Sequence, residues 1–207
     1  MGCGVPRARA AWVGVRMSGV SFRVFVAVSL DGFIARPGGE LDWLPGASPE
    51  GVPAPADEDH GFGAFMDGVQ VIVMGRATFE TVRDFEPWPY AGHEVVVLSR
   101  TLRADDLPAG RPGLSVHPGP VGALAADLRV RFRDSGRAGG VYVDGGQTVQ
   151  AFLRAGLIDE LTVTRVPVLL GQGRPLFGPL EADLHWEHLG TRAFPSGLVQ
   201  STYRRAP

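Results

Sequence analysis

The sequence predicts an α/β fold: a mostly parallel sheet with an antiparallel C-terminal edge, covered by helices on both faces. Three observations carry this. Short apolar runs, VIVM at 71–74 and VVVL at 95–98, show no polar alternation, as in strands buried on both faces. A segment with helical spacing, marked by Leu124, Leu128 and Phe132, lies between such runs. The last three strands follow one another with no helical segment between them.

Each element has its own signal. Residues 22–28 (FRVFVAV) are rich in β-branched and aromatic side chains and form the first core strand, which Ser29-Leu30-Asp31-Gly32 turns out of. Pro37-Gly38-Gly39 marks a loop, and 45–55 is a Pro/Gly-rich surface stretch. Residues 57–67 are expected as a helix, with Phe62, Phe65 and Met66 at i, i+3 and i+4. Strand 71–74 is followed by a short helix from Thr78 to Val82, and strand 95–98 is closed by Ser99-Arg100. A weaker strand at 114–117 precedes the helix at 121–132, and Gly139-Gly140 ends the loop before strand 141–143. Residues 147–157 form a helix with Val149, Phe152 and Leu153 facing inward. Strands at 161–168, 184–189 and 198–203 complete the chain, with Gly171-Gln172-Gly173 as a turn. His185 and His188, three apart in a strand, are expected on opposite faces, so no metal site is expected there.

Composition narrows the function classes. The 207 residues suit one large domain, and 44% hydrophobic against 20% charged residues allows a sizeable core. No apolar run approaches the ~20 residues that span a bilayer, so no membrane role is expected. The net charge of -2 does not point to nucleic acid. The single Cys3 excludes an internal disulfide and a multi-cysteine zinc site, in keeping with a cytoplasmic setting. Residues 1–19 read as a disordered tail, or as upstream residues before a start at Met17, and 20–207 as a single domain.

Two turns carry the functional signal. Gly75-Arg76-Ala77-Thr78 follows an apolar strand and opens a helix, offering backbone N–H groups, a guanidinium and a hydroxyl to a phosphate. Asp144-Gly145-Gly146-Gln147-Thr148 repeats the strand–turn–helix arrangement. Two such turns in one small domain suggest a dinucleotide held at two points. Neither is the G-x-G-x-x-G fingerprint. Ser99 and Arg100, at a strand end, suit an adenosine 2′-phosphate, or else form a solvated turn. Asp31, Trp43 and Asp144 are candidates for the substrate end. Asp31 has the alternative of capping its turn, Trp43 of folding onto the core, and Asp59 of capping the helix it opens. No G-x-S-x-G motif is present.

Together these segments resemble the dihydrofolate reductase-like superfamily, and within it the RibD C-terminal domain family of riboflavin-biosynthesis reductases. The resemblance runs in order through VAVSLDGFIA at 26–35, LDWL at 41–44, VMGRATF at 73–79, VLSR at 97–100, VDGG at 143–146, and LIDEL at 157–161 through PVLLGQG at 167–173. It implies a three-layer sheet of about eight strands, NADPH as cofactor and a homodimer. Gly75, Arg76, Thr78, Gly145, Gly146, Gln147 and Thr148 would then meet the cofactor phosphates, and Ser99 and Arg100 the 2′-phosphate. Asp31 and Asp144 would be the catalytic candidates, with Trp43 and Asp59 at the substrate. The chain departs from the riboflavin reductases in two places. Phe33 stands where they commonly have a basic residue, and Asp144 where they usually have Glu. Asp59 falls where dihydrofolate reductases keep their acid. The implied activity is hydride transfer from NADPH to a small heteroaromatic substrate, pterin- or ribitylaminopyrimidine-like. The alternative is a non-catalytic, dimeric NADPH sensor or scaffold.

Overall fold

The computed structural model describes residues 19–46, 58–136 and 138–207. The tail at 1–18, most of the Pro/Gly-rich stretch and Asp57 lie outside these residues. Ten strands and four α-helices follow in the order β1 (Val20–Ser29), β2 (Phe33–Ala35), α1 (Phe62–Asp67), β3 (Val69–Gly75), α2 (Arg76–Val82), β4 (Glu94–Leu98), β5 (Leu114–His117), α3 (Val121–Asp134), β6 (Gly139–Asp144), α4 (Gly146–Arg154), β7 (Glu160–Val166), β8 (Arg174–Pro175), β9 (Trp186–Ala193) and β10 (Val199–Arg205). Eight of the strands form one sheet in the order β5-β4-β3-β6-β1-β7-β10-β9. Its first six strands are parallel, and β10 runs antiparallel to both β7 and β9.

The apolar runs sit at the centre because both of their faces are covered. Along β3, Val71 and Val73 face the cluster built by α3 and α4, while Ile72 and Met74 face the cluster holding Phe65 of α1 and Phe79 of α2. A strand with helices on both sides has no reason to alternate. The predicted stripe of α3 is buried as Leu124, Leu128 and Phe132, and that of α4 as Val149, Phe152 and Leu153. Gly156, at φ 63°, ends α4 in the left-handed region, where the N–H of Leu157 returns to the carbonyl of Phe152.

Four local expectations are corrected. The helix placed at 57–67 begins only at Phe62, because Gly61 precedes it at φ 79° in the left-handed region. Asp59 therefore does not cap it, and instead accepts the Gly61 N–H at 2.7 Å in a local turn. Gly139 and Gly140 belong to β6 rather than to the loop. They have no side chains because Gln70 and Arg23 lie across the strand where a Cβ would project. His185 lies just before β9, so the two histidines do not share the strand. An irregularity places His188 opposite Tyr203 but Gly190 opposite Thr202, which leaves Leu189 as an extra residue. This turns His188 and Thr191 to one face, where their side chains bond at 2.7 Å. The separate two-stranded pairing of β2 with β8 had no sequence signal, being three residues against two.

Candidate functional site

Strands β4, β3 and β6 end level with one another: Gly75 pairs with Leu98, and Met74 with Asp144. Ser99, Arg76 and Gly145 therefore follow one another along the C-terminal edge of the sheet. With strands about 4.8 Å apart, that row is about 10 Å long. β1 departs from the row. It pairs with β6 only from Val20 to Arg23, then runs on beside β7 as far as Ser29. The strand pairing therefore has a gap between the end of β6 and the upper half of β1, at the edge where open α/β sheets bind ligands.

The two predicted phosphate turns are neighbours that fit into each other. A Cβ on Gly75 would lie 2.9 Å from Oγ1 of Thr148, and one on Gly145 would collide with Oγ1 of Thr78. Glycine at each turn thus makes room for the threonine of the other. Gly145 has a second requirement, since its φ of 85° lies in the left-handed region. Neither α2 nor α4 has a side-chain cap, so the first N–H groups of both helices point unpaired toward the same edge. The fit also revises two roles. Thr148 is only 5% exposed, so its hydroxyl packs the turns together rather than facing solvent. Gly146 faces protein, because a Cβ there would sit 2.7 Å from Cδ1 of Ile34 and 3.2 Å from the carbonyl of Pro175. The β2–β8 pair thus lies against the start of α4. Gln147 is exposed beside the turn.

Along the row, Arg76 donates to Glu80 at 2.7 Å and to Oγ1 of Thr101 at 2.9 Å, tying α2 to the turn after β4. Oγ of Ser99 accepts from the N–H of Leu102 at 2.9 Å and of Thr101 at 3.3 Å, so this serine shapes its own turn. Arg100 projects exposed from that turn. His117, which the sequence did not single out, ends β5 beside it, with its carbonyl accepting the Ser99 N–H. Its Nε2 is buried without a partner.

The two acids differ. Asp144 ends β6 half-buried, with its carboxylate accepting the Gly145 N–H at 2.8 Å and the hydroxyls of Tyr90 and Tyr142 beside it. Burial pushes its carboxyl above the ordinary value, and these donors only partly offset that. Tyr142 lies two residues back on the same face, a placement readable from strand periodicity. Tyr90, in the loop after α2, carried no such signal. Asp31 is exposed and accepts from Oγ of Ser29 at 2.6 Å and from the N–H groups of Leu170 (3.1 Å) and Gly171 (2.7 Å). Those bonds, the Ser29 hydroxyl foremost, hold its carboxyl below the ordinary value. Asp31 thus fastens the turn after β1 to the loop after β7.

Trp43 is corrected as a substrate contact. It is 5% exposed and packs with Val166, Phe194 and Leu198, because the hairpin between β9 and β10 folds over it. Asp59 is exposed at the entrance to α1, near Phe62, whose ring is 43% exposed and lies edge-on to Phe25 and Tyr142. Among the described residues no group of three or more His, Cys, Asp or Glu side chains is placed to hold a metal ion, and no helix is long and apolar enough to cross a membrane.

The sequence pattern of the RibD C-terminal domain matches residues 127–200. The uncharacterized protein YwjB of Bacillus subtilis is 31% identical over 185 residues, covering 88% of this chain and 97% of its own. A crystal structure of a putative riboflavin biosynthesis protein from Shewanella sp. PV-4 is 40% identical, with a TM-score of 0.78 over 90% of this chain and 99% of that one. The chain belongs to the RibD C-terminal domain family. The matched part of the RibD C-terminal domain holds β6, the Gly145 turn, α4 and β7, while the Gly75 turn and Ser99-Arg100 come from the part before it. The dihydrofolate reductase-like fold is shared more widely. Dihydrofolate reductase from Enterococcus faecalis, solved with NADP(H), is 18% identical with a TM-score of 0.59 over 90% of this chain.

Proposed function

We propose that this protein is an NADPH-dependent reductase of a small heteroaromatic substrate, pterin- or ribitylaminopyrimidine-like. The observation that carries this reading is the pair of interlocked turns, Gly75–Thr78 and Gly145–Thr148, each opening an uncapped helix on one sheet edge. Their free N–H groups suit a pyrophosphate. Arg100, with Arg76 alongside, suits a 2′-phosphate at the far end of the row. NADPH, when bound, supplies hydride from its nicotinamide ring; the protein's part is position and charge. The relative named for riboflavin biosynthesis and the distant reductase solved with NADP(H) support the same reading.

At the substrate end, Asp144 is the acid in the gap between β6 and β1, and the exposed Phe62 ring offers a flat apolar wall nearby. A half-buried carboxyl beside aromatic rings suits a planar heterocycle with N–H groups on one edge. Asp31, occupied by three donors of its own chain, positions loops around this gap.

Fluorescence titration of the purified protein with NADPH, followed by an oxidation assay over pterins and ribitylaminopyrimidines, tests this. Saturable NADPH binding and turnover with one of these compounds is expected. Absence of NADPH binding overturns the reading. Binding without oxidation of any compound would instead leave a nucleotide-binding sensor or scaffold.

A further inference from the structure

The stretch that leads into α1 is tied to the C-terminal hairpin. Oε1 of Glu58 accepts the Ser196 N–H at 2.7 Å, and Oε2 accepts the Ser196 hydroxyl at 2.5 Å. Nε2 of His60 lies 3.2 Å from the same carboxylate, and the His60 ring meets Phe194 edge-on at 4.6 Å. Gln200 of β10 donates to the His60 carbonyl at 3.1 Å and to Oγ1 of Thr164 on β7 at 2.9 Å. Glu58 and His60 thus bond to the β9–β10 hairpin across 138 and 140 positions of sequence, while Asp59 between them stays exposed. The hairpin end is itself braced. The N–H of Phe194 bonds the Leu198 carbonyl at 2.9 Å, and both side chains pack with Trp43 and Val166. Ser196 is exposed at the turn, yet the Glu58 side chain bound to it is only 10% exposed. A carboxylate so covered needs its hydrogen bonds, and Ser196 supplies two.

What this tie holds is the start of α1. That helix has six residues, one buried side chain and no side-chain cap, and so short a helix does not hold its own place. Phe65 anchors its middle. Phe62 opens it, 43% exposed, with its ring 5.5 Å from Phe25 and 6.2 Å from Phe65 and Tyr142. The chain reaches Phe62 through Gly61, whose N–H is bonded to the Asp59 carboxylate at 2.7 Å. The path from hairpin to ring is therefore short: Ser196, Glu58, the Asp59–Gly61 turn, then Phe62.

We propose that Glu58 is a positioning residue for Phe62, and that its bonds to Ser196 make the β9–β10 hairpin a support of the substrate end. The purpose assigned here rests on the reductase reading, in which the Phe62 ring is an apolar wall for a planar heterocycle. Glu58 touches neither substrate nor cofactor in this scheme. It keeps the wall in place before the heterocycle arrives, so that binding does not have to order it. The nucleotide turns lie on other elements, at the ends of β3 and β6, and do not depend on it.

The first test needs neither nucleotide nor substrate. The full-length chain is labelled with fluorophenylalanine, and the fluorine resonance of Phe62 is assigned by its loss in Phe62→Leu. In Glu58→Ala this resonance should move toward that of the free amino acid, while that of Phe152, in the core under α4, stays put. Glu58→Gln, which keeps an acceptor for the Ser196 N–H, should restore most of the parent position. Ser196→Ala should move it in the same direction and should add nothing in the Glu58→Ala background, because the two residues act through one contact. An unmoved Phe62 resonance in Glu58→Ala, an equal movement of Phe152, or additive effects of the two substitutions overturns the proposal. Should Glu58→Ala unfold by circular dichroism, Ser196→Ala carries the same test. The second test uses NADPH with the pterin or ribitylaminopyrimidine that the parent reduces. Glu58→Ala should raise KM for that compound about tenfold, with kcat and NADPH affinity within about threefold of the parent. A fall in kcat at unchanged KM, or a loss of NADPH affinity, overturns the positioning role. A parent that reduces none of these compounds fails the reductase reading instead, and the fluorine resonance still decides whether Glu58 holds Phe62.

Discussion

Asp31 and Asp144 stand near the same edge of one sheet, yet their surroundings drive them in opposite directions. Asp31 is exposed and its charge is stabilised by the Ser29 hydroxyl and two backbone N–H groups. Asp144 is enclosed, and loss of water around its carboxyl outweighs its donors. Acids pushed apart in this way take different roles. The difference is measurable in stability. Because Asp31 is depressed in the fold, its contribution is present above the ordinary carboxylate value of about 4 and is lost as pH falls through the folded value. Asp31→Asn should therefore lower the melting temperature at neutral pH, and the gap to the parent should close in acid. Asp144 has the opposite sign. Its cost is absent below about pH 4 and develops as pH rises through the window between the ordinary and the raised value. Asp144→Asn should melt higher than the parent at neutral pH and equal to it in acid. Thermal melts of the three proteins across pH check both, and an Asp31→Asn gap that persists in acid would mean that its charge is not what fastens the loops. At the other end of the row, Arg100 is exposed on a turn that Ser99 shapes but does not arm. NADPH is expected to bind more tightly than NADH, and Arg100→Ala should lower NADPH affinity about tenfold while leaving NADH affinity unchanged. Equal affinities for the two cofactors in the parent would remove Arg100 from the site.

At the scale of elements, the turn into α4 shows why two adjacent glycines are not equivalent. Gly145 carries the left-handed backbone and the contact with Thr78, whereas Gly146 abuts Ile34 and Pro175. Gly145→Ala is expected to cost about 1–2 kcal/mol from backbone geometry alone, plus displacement of Thr78, and to weaken cofactor binding. Gly146→Val should instead act by pushing the β2–β8 pair away from α4. Urea unfolding of both variants, with and without NADPH, separates the two effects. A Gly145→Ala protein as stable as the parent would contradict the geometry. The same contrast marks what the sequence could reveal. Strands β3 and β4 and the inner faces of α3 and α4 were legible because burial on one or both faces writes itself into residue period. Pairing between β2 and β8 was not, since five residues in all hold no period and the partners lie about 140 positions apart. The late start of α1 depends on the handedness of one glycine, which composition does not reveal. In the site, the glycine turns were visible through their strand–turn–helix context. The burial of Trp43 and the approach of Tyr90 to Asp144 depend on loops meeting distant strands. No local pattern encodes such meetings.

At the scale of the molecule, the sheet is covered unevenly. Helices α1 to α4 pack over the strands from β4 to β1, while β9 is an edge strand of eight residues, seven of them exposed. Nine large apolar side chains are exposed among the described residues, and five of them, Leu169, Phe177, Leu180, Leu189 and Val199, fall between positions 169 and 199. Scattered exposed apolar residues need no explanation, but Leu189 on β9 and Val199 on β10 lie together at an open sheet edge. We propose that a second copy of the chain covers this region, because a two-fold interface places the same patch on both subunits. The proposed nucleotide site lies at the ends of β4, β3 and β6, three to five strands from β10 in the sheet order. Dimer formation and cofactor binding should thus be separable by mutation. Sedimentation equilibrium of the parent should give twice the chain mass. The double substitution Leu189→Glu and Val199→Glu should give the single-chain mass, with circular dichroism unchanged, since both side chains are already exposed. NADPH affinity of that variant should stay within about threefold of the parent, as is usual for distant, independent sites. A parent that sediments as a single chain at micromolar concentration would refute the interface. A monomeric variant that no longer binds NADPH would show that the second copy reaches the nucleotide site, and the separation argued here from strand order would fail.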